Sequence, residues 1–228
     1  AQSQVLALRP SARTKIIPYP YFLPQAIGDV DPVALKAQQR STLGFTTDSF
    51  LVGSFGIFVP NKHLRACLAA FKEVTRYVPN AHYLLGGFAA EGYDLAAEIK
   101  QMGLGNRVHM TGWQPPATFV KQMFALDVGI HLRHPHIGGT PYTPIRLMGL
   151  GIATITSDIE PLQELPQGTC IKLAPDDYAE AMLVELLGKL ATNISFRQLI
   201  AENGRTFIQQ HHQLNTIAQQ YLQFFQSL

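Results

Sequence analysis

From Phe50 onward the chain alternates short runs of almost wholly apolar residues with longer segments in which apolar residues recur every three or four positions. SFLVGSFG, AHYLLGG, RVHMTG, VGIHLR, IATITS and TCIKLA are of the first kind and read as strands. KHLRACLAAFKEVTRYV is of the second kind, with Leu64, Cys67, Leu68, Phe71 and Val74 on one face of a helix. YDLAAEIKQMGLG, PPATFVKQMFALD, TPIRLMGLG and DYAEAMLVELLGKLA read as helices too, and IEPLQEL as a short one. Strands apolar on both faces, joined through helices by short connections, need right-handed crossovers. The expected fold class is therefore α/β: a Rossmann-like parallel sheet flanked by helices on both faces, over about residues 46–192.

The flanks read differently. KIIPY, from Lys15 to Tyr19, is a short strand candidate, and the proline-broken PYPYFLPQAIGDVDP behaves as a linker. Asp31 and Pro32 offer an N-cap and a first-turn proline to the helix VALKAQQRSTLG, which stops at Gly44. Residues 193–228 are helical with a break near His211 and His212, both expected to be solvated.

Composition narrows the partners. The chain is 46% hydrophobic and 15% charged, as suits strands covered on both faces, and its formal charge of +2 gives no argument for nucleic acid or a membrane surface. No apolar run approaches the ~20 residues that span a bilayer. Cys67 and Cys170 read as buried, reduced thiols, which fits a cytoplasmic protein. The opening AQSQVLALRPSARTK has neither an initiator Met nor the layout of a signal peptide, so the chain is expected to start inside a longer protein.

In a parallel sheet, ligands bind at the carboxyl ends of the strands. Those ends carry Gly56, Gly86 and Gly87, Thr111 to Trp113, the loop from His131 to Tyr142, and Ser157 with Asp158. The stretch from Asp127 to Ser157 runs strand, His-rich loop, glycine pair, helix, strand, which is an arrangement suited to an anion. Gly138 and Gly139 can turn N–H groups inward, Thr140 is the expected N-cap, and Tyr142 and Arg146 lie on successive turns of the helix. Lys62 reaches a phosphate from beside Gly56 or is a surface lysine in a loop; the spacing is not that of a P-loop, and no GxGxxG follows the strand. His131, His134 and His136 admit a metal, a substrate contact or plain packing, with no Cys or carboxylate nearby in sequence to complete a zinc set. Trp113, the only tryptophan, flanks a base or sugar or caps the core.

Taken together, Gly56 with Lys62, MGLGNRVHMTGW, RLMGLGIATITSD followed by EPLQELP, and RTFIQQHHQLNTIAQQYLQFF resemble the C-terminal, donor-binding domain of the GT-B glycosyltransferases, the mainly retaining group 1 family. The likeness covers roughly residues 48–226. It implies one half of a GT-B fold: residues 1–45 as the interdomain link and end of an N-terminal acceptor domain, 46–192 as the nucleotide-sugar-binding domain, and 193–228 as helices packing back toward that partner domain. It further implies a nucleotide-diphosphate-sugar substrate (UDP or GDP), no metal or other cofactor, no nucleic-acid partner, and membrane association only through the other half. The diphosphate would meet Gly56, Lys62, Gly138, Gly139, Thr140, Tyr142 and Arg146, the base would border Thr111, Gly112 and Trp113, and His134 and His136 would reach the sugar. Transfer to an acceptor hydroxyl is the implied reaction, with no activity expected of this half alone.

One departure falls on the donor loop. The family has two glutamates, the first contacting the transferred sugar and the second the ribose; here Gly138, or Gly139 in a Gly-Glu-Thr-Ser branch, and Arg146 occupy those positions. Glycine has no side-chain acceptor and arginine has only donors. This leaves a second reading, a non-catalytic nucleotide-sugar-binding or interaction module.

Overall fold

The computed structural model describes all residues of the chain except Ala1, Asp29, His136 and Ile137. Six parallel strands, β1 (Phe50–Phe58), β2 (Ala81–Ala89), β3 (Val108–Met110), β4 (Val128–His131), β5 (Ala153–Ser157) and β6 (Ile171–Leu173), form one sheet in the order β3-β2-β1-β4-β5-β6. Each is one of the six apolar runs. The helices that join them are α3 (Leu64–Val74), α4 (Leu95–Gln101), α5 (Pro116–Met123) and α6 (Tyr142–Gly149), preceded by α1 (Gln2–Leu8) and α2 (Pro32–Thr42) and followed by α7 (Ala179–Thr192), α8 (Ile194–His211) and α9 (Leu214–Gln226).

Alternate residues of each strand serve opposite faces, and both faces are buried. Val52, Phe58, Tyr83 and Leu85 join α3, α4 and α7, where Leu64, Cys67, Leu68, Phe71 and Val74 all lie in the core as the helical spacing requires. Leu51, Phe55 and Leu84 pack on the other side against Met123 of α5 and Leu147 of α6. Cys67 and Cys170 are buried free thiols. No helix among the described residues is long and apolar enough to cross a membrane.

Asp127, just before β4, ties the amino ends of β1 and β4 to α2. Its carboxylate takes Lys36 Nζ at 2.8 Å, Arg40 Nη2 at 2.6 Å and the Leu51 N–H at 2.9 Å. Burial pushes this carboxyl up, but the two cations outweigh burial and hold it below the ordinary aspartate value.

Three local expectations are corrected. Lys15–Tyr19 is not a strand: Pro18 and Pro20 remove backbone donors, and the nearest pairing is an isolated bridge between Tyr21 and Gln213. His212 is buried rather than solvated, because its Nδ1 lies 2.6 Å from the Tyr19 carbonyl while its own carbonyl accepts the Tyr21 N–H at 2.7 Å. The N-cap position of α6 belongs to Pro141, with no side-chain cap, and Thr140 falls one residue too early.

Candidate functional site

The strand order reverses between β1 and β4: the chain runs outward through β2 and β3, then returns to β4 on the other side of β1. Connections leave that point in opposite directions, opening a crevice at the carboxyl ends of the two strands. Its floor is glycine. Gly56 and Gly87 are register partners with φ of 115° and 131°, and a Cβ on Gly87 would fall 2.1 Å from the Gly56 carbonyl oxygen. No other residue type fits there.

A 3-10 turn, Pro60–Lys62, follows β1 and sends the Lys62 side chain back over this floor. Its Nζ donates to the Phe55 carbonyl at 3.1 Å and lies 2.8 Å from where a Gly56 Cβ would stand. Lys62 is thus half-buried on its own strand end, not a surface lysine. Burial, then the charge of Arg133, lowers its pKa from 10.5 to about 8.

Across the crevice β4 ends at His131, whose carbonyl accepts Thr156 Oγ1–H at 3.1 Å. Burial first, then the charges of Lys62 and Arg133, lowers its pKa to about 3, so the ring is neutral. Backbone bonds lock the flanking loops: Arg133 N–H to Ser157 Oγ at 2.8 Å and His134 N–H to the Asn61 carbonyl at 2.9 Å. His63, at φ 50°, puts Nε2 2.7 Å from the His134 carbonyl.

Five buried side-chain polar atoms lack a partner among the described residues, and three of them, Asn61 Oδ1, His131 Nε2 and Arg133 Nε, belong to these two loops. Nor does any carboxylate among the described residues pair with Lys62 or Arg133, since the ion pairs found there involve Asp127 and Glu73 only. A glycine-floored crevice with two unneutralised cations is suited to an anionic ligand. Among the described residues no three His, Cys, Asp or Glu side chains are grouped to hold a metal ion.

The remaining residues singled out from the sequence divide into groups. Thr111 and Gly112 continue the same edge, through Thr111 N–H to the Leu85 carbonyl at 3.0 Å and the Gly87–Gly112 bridge. Trp113 beside them is 70% exposed and does not cap the core. Gly138, Gly139 and Thr140 are exposed, and His136 lies outside the described residues. Tyr142 and Arg146 turn toward the N-terminal segment. The Tyr142 ring packs on Tyr19 and Phe22, its hydroxyl meets the Phe22 backbone, and the Arg146 guanidinium lies 4.4 Å over that ring.

Arg133 and His63 were not drawn from the sequence as site residues, and His131 was only one of a histidine trio. The usable signal was position, since His131 closes an apolar strand and is buried for that reason.

The sequence pattern of the family described as Glycosyl transferases group 1 matches residues 36–207. The chain belongs to this family. As a group 1 glycosyl transferase it carries its six-stranded sheet as the Rossmann-like half of a GT-B fold. Solved structures agree in fold. Anabaena Alr3699/HepE in complex with UDP and glucose superposes with a TM-score of 0.78 at 22% identity, over 99% of this chain and 61% of that one. Sucrose-phosphate synthase (tll1590) from Thermosynechococcus elongatus gives 0.75 at 23%, over 99% and 56%. The C-terminal domain of the group 1 protein LpcC from Francisella tularensis gives 0.69 at 18%, over 82% of this chain and all of that one. This group 1 glycosyl transferase chain therefore spans about three fifths of the length of HepE. No curated protein sequence matches it.

Proposed function

We propose that the chain is the donor-binding half of an enzyme that transfers a sugar from a nucleotide-diphosphate sugar to an acceptor hydroxyl. The observation that carries this reading is the acid-free crevice at the β1–β4 switch point, with Lys62 folded over Gly56. Lys62 exchanges the Phe55 carbonyl for a phosphate oxygen, and Arg133 adds a second cation. As the bond from the anomeric carbon to the phosphate oxygen breaks, these charges stabilise the nucleoside diphosphate that leaves, doing the work a divalent metal does elsewhere. Ile57, Phe88, Met110 and Trp113, all exposed at the carboxyl ends of β1 to β3, offer the base an apolar ledge beside Thr111 and Gly112. UDP and GDP both meet this chemistry.

The complex of HepE with UDP-glucose, at 22% identity, supports a nucleotide sugar as substrate, and transfer with retention belongs to the same proposal. The acceptor and its proton belong to an N-terminal domain. Leu214, Tyr221, Leu222 and Phe225, exposed along α9, supply an apolar face for it, and the half alone turns over no donor. The two free, buried thiols support a cytoplasmic setting. Calorimetry with UDP and GDP tests the proposal: one of them binds to the 228-residue chain, and failure of both to bind removes the donor reading. A binding module without catalysis is favoured by Gly138, Gly139 and Arg146 at the family's acidic positions. Donor binding by the full-length protein with neither transfer nor hydrolysis would establish that alternative.

A further inference from the structure

A cavity of about 130 Å³ opens beside the anion crevice, between the amino ends of α3 and α7 and beyond the carboxyl ends of β4, β5 and β6. It is too small for a nucleotide, since pockets for drug-sized ligands run to roughly 300–1,000 Å³, and it has room for a single sugar ring. Its walls are largely apolar, with Leu132, Leu173 and Leu183 among them, and four residues bring polar groups: His63, His134, Ser157 and Asp176. Apolar walls with a few placed polar groups suit the C–H face and the hydroxyls of a pyranose.

The cavity is lined by the sequence neighbours of the cation pair. His63 follows Lys62, His134 follows Arg133, and the Ser157 Oγ that lines the cavity accepts the Arg133 N–H at 2.8 Å. Along the edge of the sheet the order is therefore the exposed apolar ledge at β3 to β1, the cations at β1 and β4, and the cavity at β4 to β6. Base, diphosphate and sugar of an extended donor follow that same order.

Resting on the donor reading above, we propose that this cavity is the donor-sugar subsite and that Asp176 is its specificity-determining acid. Residues 132–141 after β4 contain no carboxylate, so the acceptor for sugar hydroxyls comes from the far side, after β6. Asp176 Oδ1 accepts the Tyr178 N–H at 3.0 Å, an arrangement that fixes the side chain, and Oδ2 has no partner among the described residues. Because a carbonyl has no proton, His63 Nε2 donates to His134 and leaves Nδ1 as a second acceptor. Ser157 Oγ, already an acceptor, keeps its proton to give.

The test is calorimetry on the 228-residue chain with UDP and GDP, each beside its sugar conjugates UDP-glucose, UDP-N-acetylglucosamine and GDP-mannose. Asp176→Asn keeps the turn to Tyr178, and Ala66→Leu narrows the cavity from α3. Both variants are expected to weaken the preferred sugar nucleotide at least tenfold while its free nucleoside diphosphate binds as before. Equal losses for both ligands, or no loss for either, overturn the sugar subsite but leave the donor site standing. If the unaltered chain binds no nucleoside diphosphate and no conjugate, the donor reading itself fails and the subsite falls with it.

Discussion

The turn after β1 and the loop after β4 face each other across one crevice and are held in contrasting ways. The β1 turn sets its cation from within, with Lys62 folding onto the carbonyl of its own strand within a 3-10 turn. The β4 loop instead runs into α6, which is clamped from outside at both ends: Tyr142 by Tyr19 and Phe22, and Gly149 by the Tyr21 ring, which would lie 2.3 Å from any Cβ placed there. Charge for the ligand is thus placed by short strand ends, while α6 is placed by the segment that precedes the sheet. A cation needed at one point is best fixed by the nearest backbone.

The largest effect should separate the two sides. Lys62→Ala is expected to lower nucleoside diphosphate affinity about 100-fold by calorimetry, the loss of a charge-assisted bond worth roughly 1.5–3 kcal/mol. Arg146→Ala should change it less than threefold. Equal losses would return α6 to the anion site.

Tyr142→Ala should come next, destabilising the chain by roughly 1 kcal/mol through loss of its two aromatic contacts. Limited proteolysis should then cut sooner near Tyr19–Phe22, with nucleoside diphosphate affinity unchanged. Unaltered cleavage would show that the placement of residues 19–22 does not depend on this ring.

The smallest effect is a pH dependence confined to the β1 side. Lys62 titrates at about 8 in the folded chain against 10.5 when unfolded, so the unfolded state binds the proton more tightly. The ammonium therefore costs stability as pH falls from about 10.5 to about 8, and no more is lost below that. An anion favours the charged form, so affinity should be level near pH 7, about half that near pH 8, and lower beyond. Proton uptake on binding at pH 8, measured in buffers of different ionisation enthalpy, should disappear in Lys62→Met. Persistent uptake in that variant would assign the titration to another group.

Much of this architecture was legible in the residues. Each strand is apolar on both faces and short, and each helix carries its stripe at helical spacing, so local patterns agree with the global fold. The glycine floor at Gly56 and the lysine after it were legible as well, because both are consequences of a strand ending in a turn. The errors fell where contacts join distant segments. Pro18 and Pro20 argue against a strand, yet only the packed structure shows residues 19–22 lying along α6 and the α8–α9 break.

The sequence by itself determined the order of strands and helices, the parallel sheet, the family and the glycines at the switch point, since these follow from hydrophobic period and backbone sterics within a few residues. Only the tertiary structure decided which polar groups share a space. It set Arg133 and a neutral His131 beside Lys62, turned Tyr142 and Arg146 toward residues 19–22, and brought Asp176 from beyond β6 to the cavity of His63 and His134. Burial and Coulomb terms depend on neighbours in space, and those neighbours lie here up to about a hundred residues apart along the chain.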